Sequence, residues 1–392
     1  EAATFSPEEV CKLAETSASK VEALRRALER VVGQPWFRLR LLHQDGHQIL
    51  QQSAEIELPL TLLLVIDRFC AATDEMVWEL CDACVRSDVE AVDRCLNRPQ
   101  DPDLENERGH TALFTAACLG AVPCAKLLLE GKADVDKPSG ARNTTPLAAA
   151  AHAGHSEMVE LLLDEDADLD KASTTGATPL FFAAGTGHLS AVRSLLQRGA
   201  DREKAGPDGA TPLFRAALNG YLEVVQVLLK EGVDMEKAVT EGMTPLFVAA
   251  QNGHLDVVRL LLQEGASINQ ASVQGATAIF IAAQFGHADV VRLLVQEGAK
   301  NNKVLTSGAT PLAVAAESGH LEVVRLLLQE GADTGLEITD RAMPFLVAAR
   351  EGHFRVVRLL FKGMAARSWL IALRVYSRLP AFCRRCRAKT CP

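Results

Sequence analysis

The sequence lacks any long hydrophobic run. Its longest apolar stretch, residues 58–66, contains Pro59 and is about half as long as a bilayer-spanning helix requires. It also lacks an excess of positive charge, because the formal net charge is −9. We therefore expect neither a membrane-spanning segment nor a general nucleic-acid binder. The chain begins at Glu1 without an initiator methionine, and we expect the sequence to be a fragment or a processed form.

Cysteine is absent from the middle of the chain. None of the 10 cysteines lies between Cys124 and Cys383, and no even set of cysteines recurs along the sequence. A disulfide framework would need such a recurring set. The distribution favours reduced thiols and predicts a cytoplasmic protein, with the nucleus as the other compartment open to it.

Catalytic signatures are missing as well. The sequence contains no Gly-rich phosphate loop of the Walker type, no Gly-x-Ser-x-Gly, no His-Glu-x-x-His and no kinase motif set. Carboxylate clusters such as residues 164–166 lie at predicted helix ends, where solvated charge is expected. The sequence therefore predicts a protein that is not an enzyme and that needs no cofactor.

The sequence does contain one motif that recurs every 33 residues. A Thr marks it, most often within Gly-x-Thr-Pro-Leu. These threonines are Thr178, Thr211, Thr244, Thr277 and Thr310. Thr145 keeps the period, Thr111 lies one residue further off, and Met343 continues the series. A fixed period near 33 indicates a repeat architecture and overrides any domain count based on length.

The chemistry of one repeat predicts two short helices. Thr244 is a suitable N-cap, and Pro245 follows at the first helical position, where no N–H donor is needed. Gly253 and Gly265 end the two helices, because glycine readily adopts the left-handed conformation. The second helix has apolar residues at helical spacing, which are Leu255, Val258, Leu261 and Leu262. Neither helix can bury its apolar face alone, so the repeats must stack.

This text closely resembles the ankyrin repeat family over residues 76–364. We count nine units, which are 76–108, 109–142, 143–175, 176–208, 209–241, 242–274, 275–307, 308–340 and 341–364. The resemblance implies a mainly α solenoid of helix-turn-helix units with hairpin-like loops and a concave binding side. At the start of the stack, Trp78 stands where threonine would, and Ala83 and Cys84 occupy the positions of the paired alanines.

Three sets of recurring or clustered side chains invite a metal or ligand interpretation, and we assign all of them to structure. A histidine follows glycine in six units, at His155, His188, His254, His287, His320 and His353. In ankyrin units this histidine bonds backbone between neighbouring loops. Phe181, Phe214, Phe247 and Phe280 form a series that is more typical of core. Cys81 and Cys84 share one helical turn and are expected to be core thiols.

Residues 1–69 differ from the repeats. Residues 17–32 predict a helix, residues 37–42 and 60–66 predict strands, and Ile49 begins a return strand. This order resembles the second half of a ubiquitin-like β-grasp domain, with Leu42 where ubiquitin carries the isoleucine of its binding patch. The first hairpin is nearly missing, and no terminal Gly-Gly is present. A structural leader that packs on the repeats remains the alternative.

Residues 365–392 form a basic tail. The sequence from 362 to 392 contains eight Lys or Arg and no acidic residue. Cys383, Cys386 and Cys391 could suggest zinc, but a closed site needs four ligands and the tail offers three. We interpret the tail as solvated, predict no metal site, and expect weak contact with anionic membranes.

The predicted function is recognition of another protein by a monomeric scaffold or adaptor. Framework-independent positions of the central units would form the binding site, at the hairpin tips and the ends of the first helices. The candidate residues are Arg215, Asn219, Glu241, Met243, Gln251, Asn252, Gln274, Ile281, Gln284 and Phe285. An adaptor that links cargo to ubiquitin-dependent turnover through residues 1–69 is the alternative function.

Overall fold

The computed structural model describes residues 2–5, 39–43, 62–66, 73–98, 101–305, 308–334 and 344–363. For the first three of these ranges it describes the backbone alone. The chain divides into two compact units. The first consists of residues 1–183 and 190–201, and the second of residues 184–189 and 202–392.

The first compact unit begins with a three-stranded antiparallel sheet. Strands β1 (Ala2–Phe5) and β2 (Leu39–His43) flank β3 (Leu62–Ile66), with Ala2 opposite Val65 and Leu42 opposite Leu63. Both predicted strands are confirmed, each starting two residues later than expected. The predicted helix at 17–32 and the return strand from Ile49 lie outside the described residues.

The remaining described elements of the first compact unit are helices. They are α1 (Asp74–Val85), α2 (Val89–Leu96), α3 (Ala112–Leu119), α4 (Val122–Glu130), α5 (Pro146–Ala153) and α6 (Ser156–Asp164). Two further helices, α7 (Pro179–Thr186) and α8 (Leu189–Gln197), contribute residues to both compact units. The first helices of successive repeats, α1, α3 and α5, pack in one row, and the second helices, α2, α4 and α6, pack in another.

The second compact unit repeats this arrangement. Its helices are α9 (Pro212–Asn219), α10 (Leu222–Lys230), α11 (Pro245–Gln251), α12 (Leu255–Gln263), α13 (Ala278–Phe285), α14 (Ala288–Gln296), α15 (Pro311–Glu317), α16 (Leu321–Gln329), α17 (Pro344–Arg350) and α18 (Phe354–Gly363). Odd-numbered helices pack on odd and even on even. Over the whole described chain this makes nine helix pairs, the number of units predicted.

Each first helix from α3 to α15 begins just after its threonine, as expected, whereas α17 follows Met343. The Thr244 Oγ1 accepts a hydrogen bond from the Phe247 N–H at 3.3 Å, and Pro245 occupies the first helical position. The Thr178 Oγ1 accepts the N–H of Phe181 in the same way, and the Thr211 Oγ1 accepts that of Phe214. The threonine is therefore bonded in these repeats, although Phe stands where ankyrin repeats usually carry a histidine. Thr277 is an exception, because its side chain makes no capping bond.

The first helix of the stack departs from the predicted alignment. Trp78 was placed at the capping position, whereas α1 is capped by Thr73, whose Oγ1 accepts from the Met76 N–H. The helix is 12 residues long, against eight for α3. The reason is that the Gly-x-Thr-Pro motif, which would impose a start at position 78, is replaced here by Met-Val-Trp-Glu, which contains no helix breaker.

Small residues allow the first helices to approach closely. Each first helix from α3 to α17 contains two consecutive alanines, such as Ala249 and Ala250, and all of them are buried. Ala83 and Cys84 are buried at these positions in α1, as predicted. The four phenylalanines of the recurring series are buried as well, which confirms that they belong to the core. Large side chains at these inner positions would separate the helices, so the spacing of the stack depends on this choice of residue.

Candidate functional site

The ten candidate binding residues lie on α9, α11 and α13, at the C-terminal cap of α11 or in the loops before α11 and α13, all within the second compact unit. Exposed side chains are Asn219, Glu241, Asn252, Gln274, Gln284 and Phe285. Half-buried side chains are Arg215, Met243, Gln251 and Ile281. We call this surface, formed by the ends of the three helices and the two loop tips, the first-helix face.

Two of the predicted side chains also support the fold. The Asn252 Nδ2 donates to the backbone oxygens of Leu218 at 3.0 Å and Val248 at 3.2 Å. In the same way, the Asn219 Nδ2 donates to the Gly185 oxygen at 2.7 Å. Because these amides connect one repeat to the one before it, their substitution would change stability as well as any binding.

Apolar exposure on the first-helix face is concentrated in two side chains. Phe285, the last residue of α13, is 50% exposed, and Val273, at the preceding loop tip, is 75% exposed. The Phe285 ring does not fold into the core, and it lies nearly parallel to the His287 ring, with 6.5 Å between the ring centroids. Aromatic side chains in such positions are common anchors of protein interfaces.

The position after the repeat glycine differs from what the sequence suggested. The predicted binding site at the hairpin tips includes this position, which is Ala210 and Ala276 in two of the central repeats. Both are instead buried, and their backbone oxygens accept hydrogen bonds from Gly206 and Ser272. The residue closes the loop on itself, so its side chain faces inward. At the same position, Met243 and Ala309 keep part of the side chain accessible.

The recurring histidines connect neighbouring repeats, as the resemblance implied. The His254 Nε2 lies 3.0 Å from the Leu218 oxygen, and the His287 Nε2 lies 2.8 Å from the Gln251 oxygen. Each ring also covers the glycine of the preceding repeat. A Cβ at Gly253, for example, would come within 2.5 Å of the His287 Nδ1. Tyr221 takes the place of the histidine in its repeat, and its ring lies against Gly187.

A second series of bonds, which the sequence analysis missed, joins the loops. A polar side chain in one repeat accepts the backbone N–H of a residue 31 or 32 positions later. The pairs are Asp103 with Asp134, Asp136 with Asp168, Asp170 with Asp201, Glu203 with Asp234, Glu236 with Ser267, Asn269 with Lys300 and Asn302 with Asp333. Aligning the repeats at their period would have revealed this column of acids and amides.

Burial raises the pKa of Asp103 in this series to about 6, and the Asp134 N–H, which its carboxylate accepts, only partly opposes the effect. Because the folded protein then holds a proton that the unfolded chain has lost, stability falls as the pH rises from about 4 to about 6. We predict that Asp103→Asn raises the free energy of unfolding by roughly 1 kcal/mol at pH 7.5 and changes it little at pH 4.

The test is thermal unfolding of both proteins at the two pH values. Asn269 and Asn302 already accept the equivalent N–H in their own repeats, which shows that an amide can replace the acid. An Asp103→Asn protein that is less stable than the wild type at pH 7.5 would contradict the prediction. That result would mean that the charged hydrogen bond outweighs the burial of the carboxylate.

The first repeat, residues 76–108, has an exposed apolar surface at α1 and α2. Trp78 is 61% exposed, and Val85 and Val89 are exposed as well. Trp78 and Val85 line an open concavity of about 550 Å³ together with the loop before α3. Leu119 is exposed at the end of α3, in the repeat position that Phe285 occupies in α13. Leu119 is not among the predicted binding residues, although alignment at the repeat period gives it the same position as Phe285.

The thiols of the described residues are free and mostly buried. Burial raises the pKa of Cys81 and Cys84, and it raises that of Cys118 to about 11, so these side chains remain neutral. No group of three or more His, Cys, Asp or Glu able to hold a metal occurs in the described part of the chain. Cys383, Cys386 and Cys391 lie outside it. Among the described helices, none has the length and hydropathy to cross a bilayer.

Comparison with known proteins agrees with this geometry. The family model for ankyrin repeats in three copies matches in overlapping segments, at residues 80–173, 165–239, 203–272, 231–304, 271–338 and 299–368. The crystal structure of the human ASB11 ankyrin repeat domain is similar, with a TM-score of 0.53 and 28% identity, over 57% of this chain and 99% of that one.

A search of curated proteins gives no match. The family match begins at residue 80, so it lends no support to a ubiquitin-like interpretation of residues 1–69. The recurring motif, the nine helix pairs in the described residues and the family match all indicate ankyrin repeats. The chain belongs to the ankyrin repeat family.

Proposed function

We propose that the protein is a non-enzymatic scaffold that binds another protein through the first-helix face of its second compact unit. Ankyrin repeats as a family serve protein–protein interaction, which supports the general function. The exposure of Phe285 is the observation that carries the location. Its counterparts within the second compact unit, Asn219, Asn252 and Ser318, are polar, so these repeats do not require an apolar residue there.

The surroundings of Phe285 fit an interface with an apolar centre and a polar rim. Ile281 lies one helical turn before it and is half-buried. Gln284 supplies an amide on the same helix, and Gln251 supplies one on α11, the first helix of the preceding repeat. Glu241 and Gln274 stand at the loop tips beyond. A partner segment with one apolar side chain flanked by hydrogen-bonding groups would match this arrangement.

Phe285→Ala is expected to weaken a bound protein by about 2–4 kcal/mol, because an anchor of this kind loses its contact area. Its thermal stability should change by less than about 0.5 kcal/mol, since the ring is half exposed. Affinity capture from cell extract with the full chain as bait identifies the bound protein. Titration of the purified partner then gives the two dissociation constants.

Leu119→Ala is the matched control, because Leu119 occupies the same repeat position, is similarly exposed and lies in the other compact unit. It should leave the affinity unchanged. If Leu119→Ala weakens the partner and Phe285→Ala does not, the interface belongs to the first compact unit. A fall of several degrees in the melting temperature of Phe285→Ala would instead show that the ring supports the fold.

A narrower function, an adaptor for ubiquitin-dependent turnover, would use Leu42, which lies in β2 opposite Leu63. Leu42→Ala would then abolish binding of ubiquitin-pathway proteins without affecting the partner held by the repeats. We also keep as proposals a monomeric state, a cytoplasmic or nuclear location, and the boundaries 1–69, 76–364 and 365–392 for the N-terminal module, the repeats and the tail.

A further inference from the structure

The second helices of the second compact unit carry an arginine at one repeat position. These residues are Arg259, Arg292, Arg325 and Arg358, on α12, α14, α16 and α18, and all four are exposed. In the first three helices an acidic residue lies three positions earlier. The Arg292 guanidinium is 3.0 Å from the Asp289 carboxylate, and Arg325 is 2.8 Å from Glu322. Each of these arginines is thus offset by an acid on its own helix.

Helix α18 departs from this pattern at three positions. Arg355 replaces the acid, Lys362 replaces a glutamine that α12, α14 and α16 share, and Phe354 replaces a leucine or alanine. All three side chains are exposed, and the Phe354 side chain is 51% exposed. The helix contains no Asp or Glu. The exposed side of α18 therefore carries three positive charges and no negative one. In α12, α14 and α16, by contrast, an acidic residue accompanies the arginine.

Helical spacing brings these residues to one side of α18. Arg355, Arg358 and Lys362 are related by steps of three and four residues, and Phe354 lies one turn before Arg358. We call these four residues the basic face. The rest of the protein has the opposite sign of charge, since the chain as a whole carries −9. A negatively charged surface would therefore attract this end of the repeats and repel the remainder, which orients the protein.

We propose that the basic face docks on an anionic lipid bilayer. Lys and Arg are drawn to phosphate-bearing headgroups, and an aromatic ring beside them suits the boundary between headgroups and acyl chains. The sequence that follows α18 has the same chemistry. Residues 364–392 hold seven Lys or Arg and no acid, and they include Trp369, Tyr376 and Phe382. The sequence next to the basic face thus adds further positive charge to this end of the chain.

The test compares the full chain with a variant that restores the residues of α12 at the three positions, Phe354→Leu, Arg355→Asp and Lys362→Gln. The same residue types already stand in α12, so the fold accepts them. Wild-type protein should sediment with vesicles of phosphatidylcholine and phosphatidylserine, but not with phosphatidylcholine alone. The variant should bind about tenfold or more weakly, because it loses three units of charge near the surface.

Arg292→Gln is the control, because it removes one exposed positive charge from a helix where that charge is paired, and it should leave vesicle binding unchanged. Wild-type protein that ignores phosphatidylserine, or a triple variant that binds as well as wild type, overturns the proposal. Binding to polyglutamate without binding to vesicles also overturns it and assigns the face to an acidic protein. Circular dichroism of the variant, or the simpler Arg355→Gln and Lys362→Gln pair, separates lost binding from lost folding.

Discussion

Gly253→Ala is expected to lower the free energy of unfolding by about 3 kcal/mol, and Gly265→Ala by only about 1 kcal/mol, although both glycines have left-handed backbone. Their φ angles are +74° and +97°. A methyl group at Gly265 meets nothing within 4 Å, whereas at Gly253 it meets the His287 ring. The added loss at Gly253 arises because the ring must move away from the Gln251 oxygen that it bonds.

The first compact unit supports the smaller figure. In its repeats the position of Gly265 holds Lys132 and Asp166, at φ 64° and 59°, so an L residue is tolerated there. Denaturant unfolding of four proteins provides the measurement, namely Gly253→Ala and Gly265→Ala, each in the wild type and in His287→Ala. Removing the ring should reduce the Gly253→Ala effect to that of Gly265→Ala. An equal effect in both backgrounds would show that backbone strain alone is responsible.

Phe345→Ala should remove about 3–5 kcal/mol from the last described repeat. The side chain is buried, and its ring meets that of Phe361 edge to face, with 4.5 Å between centroids. Helices α17 and α18 receive packing from only one described side, so we expect this repeat to open first, even in the wild type. The loss should therefore unfold α17 and α18 locally and leave α9–α14 protected.

Leu312→Ala is the comparison, because Leu312 fills the same repeat position in α15 and is packed by described helices on both sides. Its effect should spread to the neighbouring repeats. Hydrogen exchange, followed peptide by peptide, distinguishes the two patterns. Strong protection of α17 and α18 in wild-type protein, or a uniform loss of protection in Phe345→Ala, would contradict the idea of a weak terminal repeat.

Much of the fold could be predicted because the repeat leaves few alternatives. Thr244 and Pro245 start a helix by local chemistry, and Gly253 ends one by its conformation, so the sequence alone locates both boundaries. Repetition then decides the packing, since the same buried alanines must face the same neighbours. The bond of His287 to the backbone followed from the resemblance and needed no tertiary information beyond it.

The candidate site could be predicted only in part. The repeat positions showed which side chains stand at the ends of α11 and α13. They did not show which groups those side chains hydrogen-bond. Asn252 bonds a carbonyl 34 residues earlier, and Ala276 turns inward with its loop. The first depends on the distance between repeats, and the second on how the loop closes on itself. The early start of α1 was also missed, because alignment by period assumes that a terminal repeat keeps the common boundaries.

The histidine and loop bonds give each compact unit a chemical direction. In both series the donor belongs to the later repeat and the acceptor to the earlier one, as with His287 and Gln251, or Asp134 and Asp103. A ribosome releases the earlier repeat first. Every repeat that emerges therefore meets acceptors already in place, and a chain interrupted partway ends on carbonyl groups that water can satisfy. This polarity therefore favours adding repeats one at a time, in chain order, during synthesis.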